Sequence, residues 1–171
     1  MHNQIHFKFW TKKDRAKLAK VRSFGDLCQV ALDVIKHNPR GKVHMVSGPI
    51  TTGGTGTLKG NLAVFQATIE ALAQNGYNVF SQIPFEEQLV RLHNEWRLQN
   101  SDKKGYCMPI LYDFYEPIFT SGLVEAMHFI PDWRSSFGAK WEHEITRSLG
   151  IKHFYLPEDW SAALKLIEQA S

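Results

Sequence analysis

Apolar residues recur along the chain at two periods, and the alternation between them predicts the architecture. Before residue 40, Trp10, Leu18, Val21, Phe24, Leu27, Val30, Leu32 and Ile35 fall at three- and four-residue steps. That spacing predicts two short helices, broken near Ser23-Phe24-Gly25 and stopped by Asn38-Pro39-Arg40-Gly41. From Lys42 the texture changes. Val43-His44-Met45-Val46 is a short, mostly apolar run that reads as a buried strand delivering the chain into the loop Ser47 to Gly60. Leu62, Phe65, Ile69, Leu72 and Ala73 then mark an amphipathic helix with Asn75-Gly76 as its stop, and Tyr77-Asn78-Val79-Phe80 reads as a second strand, completing a βαβ unit.

Helical spacing returns at Phe85 to Leu98, and a further helix is expected from Tyr112 to about Ser121. Glu125 to Ile130 is strand-like. Gly138 to Leu149 is helical, with Trp141, Ile145 and Leu149 expected to face inward; Lys152 to Leu156 reads as a last strand and Asp159 to Ala170 as a closing amphipathic helix. Strands alternating with helices imply an α/β fold, with a mainly parallel sheet covered on both faces and ligands at the carboxyl ends of its strands. The expected division is an N-terminal helical extension over residues 1–41 and an α/β domain over 42–171.

Composition narrows the class of partner. A length of 171 residues suits one domain, and 43% hydrophobic with 22% charged residues is the balance of an ordinary folded chain. Twenty Lys and Arg against 17 Asp and Glu leave a net charge of +3, too mild to imply a nucleic-acid groove. The basic cluster Lys8, Lys12, Lys13, Arg15, Lys17, Lys20 and Arg22 reads as a solvated helix face before an anion-binding arm. Cys28 and Cys107 form no C-x-x-C pair, which excludes a disulfide scaffold and a cysteine zinc site. No apolar run is long enough to span a membrane, and the start lacks the apolar region of a secretory signal, so a cytoplasmic location is expected.

Two segments carry candidate chemistry. In the loop Ser47 to Gly60, five glycines permit close backbone approach to an anion, with Gly53 and Gly54 at its centre. It is neither a Walker A loop, since Lys59-Gly60-Asn61 stands where Gly-Lys-Ser/Thr is required, nor a dinucleotide fingerprint, since position 59 is lysine. The second segment runs from Ile130 to Glu142. Ser136 can cap the helix that follows, and the N–H groups of Gly138 and Ala139 can face an oxyanion. Glu142 lies six residues beyond Ser136, roughly 9 Å of helix rise, a span comparable to that from a 5′-phosphate across a sugar to its anomeric carbon.

A carboxylate at an anomeric centre attacks it or positions water, while a second carboxylic acid protonates the leaving group. Glu142 is the candidate for the first role and Asp132 for the second; a solvated helix glutamate is the plain alternative for Glu142. Glu144 lies about 200° around the helix and cannot share its site. Trp133 is the aromatic expected to stack on a base, whereas Phe80, Phe137 and Trp141 read as core. His44, His128 and His153 alternate with apolar residues and read as satisfied core groups, and His93 and His143 as surface residues. No metal-ligand spacing such as H-E-x-x-H occurs, so neither metal nor cofactor is expected.

Ser47-Gly48-Pro49-Ile50-Thr51 followed by Asn61, Phe65 and Gly76, together with Pro131-Asp132-Trp133-x-x-Ser136-x-Gly138-Ala139-x-x-Glu142-x-x-x-Thr146-x-x-x-Gly150, resembles the nucleoside 2-deoxyribosyltransferase-like superfamily. The similarity is to its small bacterial and phage branch and spans about residues 43–157. The resemblance implies a flavodoxin-like or Rossmann-like fold, assembly as a dimer or higher, and cleavage or exchange of N-glycosidic bonds in nucleosides or nucleoside 5′-monophosphates without metal or cofactor. It implies Glu142 as nucleophile, the Ser136-x-Gly138 turn at the 5′ side, and Ser47, Gly48, Pro49 and Ile50 beside base and sugar. The chain departs from that branch at Asp132, where Gly is common, at Glu125, where Asp is common, and in the longer loop from Gly53 to Gly60.

Gly53-Gly54-Thr55-Gly56-Thr57 also resembles a segment of cytokinin-activating phosphoribohydrolases, read here as convergence on phosphate binding. The function expected is thus an N-glycosidase or deoxyribosyltransferase acting through a glutamate. A nucleotide-binding sensor without turnover is the alternative from another class, and nucleic-acid binding through the basic arm ranks below both.

Overall fold

A computed structural model describes residues 5–50, 53–101, 104–160, 162 and 164. Three strands, β1 (Val43–Ser47), β2 (Val124–Phe129) and β3 (Lys152–Tyr155), form a parallel sheet in the order β1-β2-β3. Helices α1 (Lys12–Leu18), α2 (Phe24–Lys36), α3 (Leu58–Gln74), α4 (Glu86–Gln99), α5 (Glu116–Thr120) and α6 (Phe137–Ser148) surround it, giving a Rossmann-like α/β fold.

Strand alternation sorts the sheet into two faces. Val43 and Met45 of β1 join Met127 and Phe129 of β2 in the larger core, with Leu27 and Ala31 of α2 and Leu111 and Phe114. Val46 and Ile130 turn the other way and pack with Phe65, Ile69 and Leu72 of α3. The basic N-terminal segment is therefore no detached arm: α2 buries Leu27 and Ala31 fully in the core that the strands share, so residue 41 separates two sets of elements and not two cores. Lys17 pairs with Asp33 at 2.5 Å and the Arg15 guanidinium lies over the Phe7 ring, which leaves part of the basic cluster engaged within the chain.

The expected strand at Tyr77 to Phe80 is reduced to one parallel bridge, His44 with Val79. His44 donates its N–H to Asn78 O and accepts from Phe80 N. One step on, the Gln82 side chain takes over: its Nε2 donates to Val46 O at 2.8 Å, using the acceptor that a longer ladder would need. α3 starts at Leu58, before the first apolar position that announced it, because the Thr57 side chain accepts from Gly60 N as N-cap. The helix expected from Tyr112 begins as a π-turn over Ile110–Tyr115 and becomes α5 at Glu116. That wider turn buries both Phe114 and Tyr115.

The inner face of α6 corrects another expectation. Leu149 is 43% exposed, and the line that is buried at helical i, i+4 spacing is Gly138, Glu142 and Thr146, with Ala139 beside it. Trp141 and Ile145 are only partly buried flanks of the core. The helix expected over Asp159 to Ala170 falls largely outside the described residues; within them, Trp160 Nε1 donates to Thr68 Oγ1 on α3 at 2.9 Å. Among the described residues no helix is long and apolar enough to cross a membrane.

Candidate functional site

β1 ends at Ser47, and α6 crosses that end with Glu142 pointing inward. Ser47 Oγ donates to Glu142 Oε2 at 2.5 Å, with Ser47 1% and Glu142 8% exposed. Burial pushes the Glu142 carboxyl up to about 7, and the Ser47 hydroxyl, which favours the ionised form, opposes that push. Thr146 holds the helix one turn on, its hydroxyl donating to Glu142 O at 2.6 Å and lying 2.8 Å from His153 Nε2. The solvated-glutamate reading of Glu142 therefore fails: an ionisable helix residue sits buried, with a serine hydroxyl as its side-chain partner.

Four residues that the pattern did not single out share this region. Glu86, the first residue of α4, is partly buried, and burial raises its carboxyl to about 7. The charges of both Glu142 and Glu86 act on Tyr106 and Tyr115, whose phenols are raised above their ordinary range first by burial and then by those carboxylates. Tyr106 reaches α6 directly. Its hydroxyl lies 2.8 Å from where a Cβ on Gly138 would stand, and its ring lies 4.8 Å from that of Phe137. A side chain at position 138 would have to displace that phenol. Gln82 is 1% exposed, and its Oε1 is a buried side-chain acceptor with no hydrogen-bond partner. Its Nε2 is anchored on Val46, the neighbour of Ser47. No motif marks these four; only the chain path from β1's edge into α4 and the π-turn brings them to the strand end.

The glycine loop is fastened from within. Asn61, 4% exposed, donates from Nδ2 to Ile50 O and Gly53 O, and its Oδ1 accepts from Thr55 N and Thr55 Oγ1. Gly53 has φ 73°, and a Cβ there would stand 1.8 Å from Ser135 Oγ, so only glycine fits. Gly48 packs against Ile130, at 2.9 Å from an added Cβ to the Ile130 Cβ. Gly54 N donates to Asp132 Oδ2 at 3.0 Å and approaches Ser135 Oγ at 3.2 Å. Pro49, Gly54, Asn61, Ile130, Asp132 and Glu158 border a cavity of about 270 Å³ at the strand ends.

Several expected contacts are otherwise committed. The Ser136 hydroxyl caps α6 by accepting from Ala139 N at 3.3 Å, so the Ala139 amide is not free to hold an oxyanion. Trp133 is 7% exposed; His143 stacks on it at 4.3 Å and the Arg134 guanidinium lies 4.4 Å from its ring centroid, so neighbouring side chains occupy the ring. His143 is accordingly a partly buried member of that stack and not a bare surface residue. The Asp132 carboxylate accepts from the loop amide, and Glu86 is the other carboxyl group whose charge, with that of Glu142, bears on Tyr106 and Tyr115.

Away from this region, His44 Nδ1 and His128 Nε2 are 2.8 Å apart and stack at 5.1 Å between centroids, with Phe154 stacked on His128. These are the satisfied core imidazoles that the pattern indicated. Cys28 and Cys107 are buried free thiols, and among the described residues no group of three or more His, Cys, Asp or Glu could hold a metal.

No family model, curated protein or solved structure matches the chain.

Proposed function

We propose that the protein cleaves or exchanges the N-glycosidic bond of a nucleoside or nucleoside 5′-monophosphate, with Glu142 acting at C1′. One observation carries this reading: a glutamate buried at 8% exposure, aimed at the end of a parallel strand, is held by a serine hydroxyl and titrates at about 7. A carboxyl with that value is partly ionised at neutral pH and is desolvated, both of which suit attack on an anomeric carbon.

In the reaction so read, a Glu142 carboxylate oxygen bonds to C1′ as the C1′–N bond breaks, and the electron pair leaves with the base. Glu86, protonated in part near pH 7, gives the departing base its proton, the role that Asp132 was expected to fill. The sugar ester on Glu142 is then released by water, whose oxygen bonds to C1′ and whose proton returns to Glu86, or by a second base, which gives transfer. Tyr106 and Tyr115 stay protonated as hydroxyl donors, and the unpartnered Gln82 Oε1 accepts from a sugar hydroxyl or a base amine.

Incubation with a panel of nucleosides and their 5′-monophosphates, followed by chromatography for free base, tests the reading. Base release that Glu142→Gln abolishes supports it. Tight binding of panel members with no release from any of them replaces the enzyme with a nucleotide sensor.

A further inference from the structure

Asp132 and Phe9 are the residues other than glycine with positive φ among those described, Asp132 at 64°. Left-handed backbone is uncommon for side-chain-bearing residues and tolerable for Asp. Here the strained turn delivers a carboxylate to a particular place. Asp132 Oδ2 accepts from Gly54 N at 3.0 Å, while the Ser135 hydroxyl donates to Asp132 O and so fixes the turn. An amide N–H in a glycine loop is the seat an anionic ligand would take; in this chain a side chain of the protein already sits there. The adjoining cavity has Glu158 as a second carboxylate on its border, and among the described residues no Lys or Arg lines it.

The two fastenings belong to the same pair of segments. The loop that leaves β1 begins at Ser47, bonded to Glu142, and reaches Gly54, bonded to Asp132. The connection from β2 into α6 carries Asp132 at its start and leads to Glu142. A phosphate monoester, at about −1.5 to −2 charge near pH 7, would meet two carboxylates and, among the described residues, no cation in this cavity. A hydroxyl, which donates as well as accepts, would meet acceptors that suit it.

We propose that Asp132 is a specificity-determining residue that fills the anion seat of the glycine loop, so that the site takes the uncharged 5′-hydroxyl end of a nucleoside and turns away its 5′-phosphate. This rests on the glycosidic reading for the reaction, but not for the anion seat itself.

The test compares kcat/KM for a nucleoside and its 5′-monophosphate in the full chain and in Asp132→Gly and Asp132→Asn. Glycine suits φ 64° without strain, and asparagine keeps the volume while removing the charge. Expected is a wild-type preference of about tenfold or more for the nucleoside, falling by about tenfold in both variants through a lower KM for the monophosphate. Wild-type turnover of the monophosphate as fast as that of the nucleoside, or a ratio unmoved in both variants, overturns the assignment. If no panel member releases base, calorimetric titration with inorganic phosphate and with a nucleoside 5′-monophosphate decides the matter separately. Binding gained in the variants over wild type supports the filled seat, and no gain in either variant overturns it.

Discussion

Ser47 and Glu142, 95 positions apart in the chain, meet in a 2.5 Å hydrogen bond at the carboxyl end of β1. The serine hydroxyl is the sole cause acting to lower the Glu142 value against burial, so Ser47→Ala raises it further. A higher value means less carboxylate at a given pH. The acid limb of the pH–rate profile for base release therefore moves up by about half to one unit, with the loss greatest near pH 6 and recovering toward pH 9. An unmoved limb with a lower plateau would show that Ser47 acts in some other way.

Glu142 also weighs on stability. Its folded value of about 7 stands above the ordinary 4.5, so the unfolded chain releases this proton more readily, and folding is penalised as pH rises from 4.5 through 7. Glu142→Gln removes the penalty: unfolding free energy rises by about 2–3 kcal/mol at pH 8 and hardly changes at pH 4. Urea denaturation at the two pH values measures it. A variant less stable than wild type at pH 8 contradicts the buried-carboxyl account.

His128 acts with the opposite sign. Burial, and then the neighbouring His44, lower it to about 4 from 6.5. Glu125 lies 3.9 Å from His44 Nε2, and Lys152 and Arg40 also bear on that ring. Below pH 6.5 the unfolded chain takes up a proton that folded His128 refuses, so stability is lost as pH falls toward 4, by as much as about 3 kcal/mol. Glu142 and Glu86 gain stability over part of the same range, which partly masks the loss. His128→Leu should flatten the acid side of the curve of urea midpoint against pH; an identical slope in wild type and variant removes His128 as its cause.

Asn61 holds the glycine loop through both ends of its amide. Asn61→Ala strands two carbonyls and an amide N–H, a loss of about 2–4 kcal/mol in unfolding free energy. Asn61→Asp is as damaging, because an oxygen then faces the carbonyls of Ile50 and Gly53. Both variants should be cleaved faster within the loop in limited proteolysis; wild-type cleavage rates would show the clamp to be dispensable.

What could be read in advance followed from local rules. The spacing of Phe24, Leu27, Val30, Leu32 and Ile35 foretells α2, and Ser136 at a strand-to-helix junction foretells the cap of α6, since both need only the backbone geometry of one element. The apolar texture of Tyr77 to Phe80 predicts a full strand because it does not reveal that the Gln82 amide ends the ladder. Spacing places Leu149 inward, but a helix's inner face is chosen by its neighbours, and here Ser47 bonds Glu142 and Tyr106 packs against Gly138.

The order of strands and helices, the glycine loop and Glu142's place on a late helix were determined by the sequence alone, because periodicity, capping and chain reversal act over a few residues. The tertiary structure decided that Glu142 is buried, that its charge and that of Glu86 both bear on Tyr106 and Tyr115, that Gln82 Oε1 is left unpartnered, and that Asp132 binds a loop amide. Those outcomes depend on desolvation and on contacts between residues tens of positions apart, and such distances enter the chemistry only when the sheet brings the strand ends together.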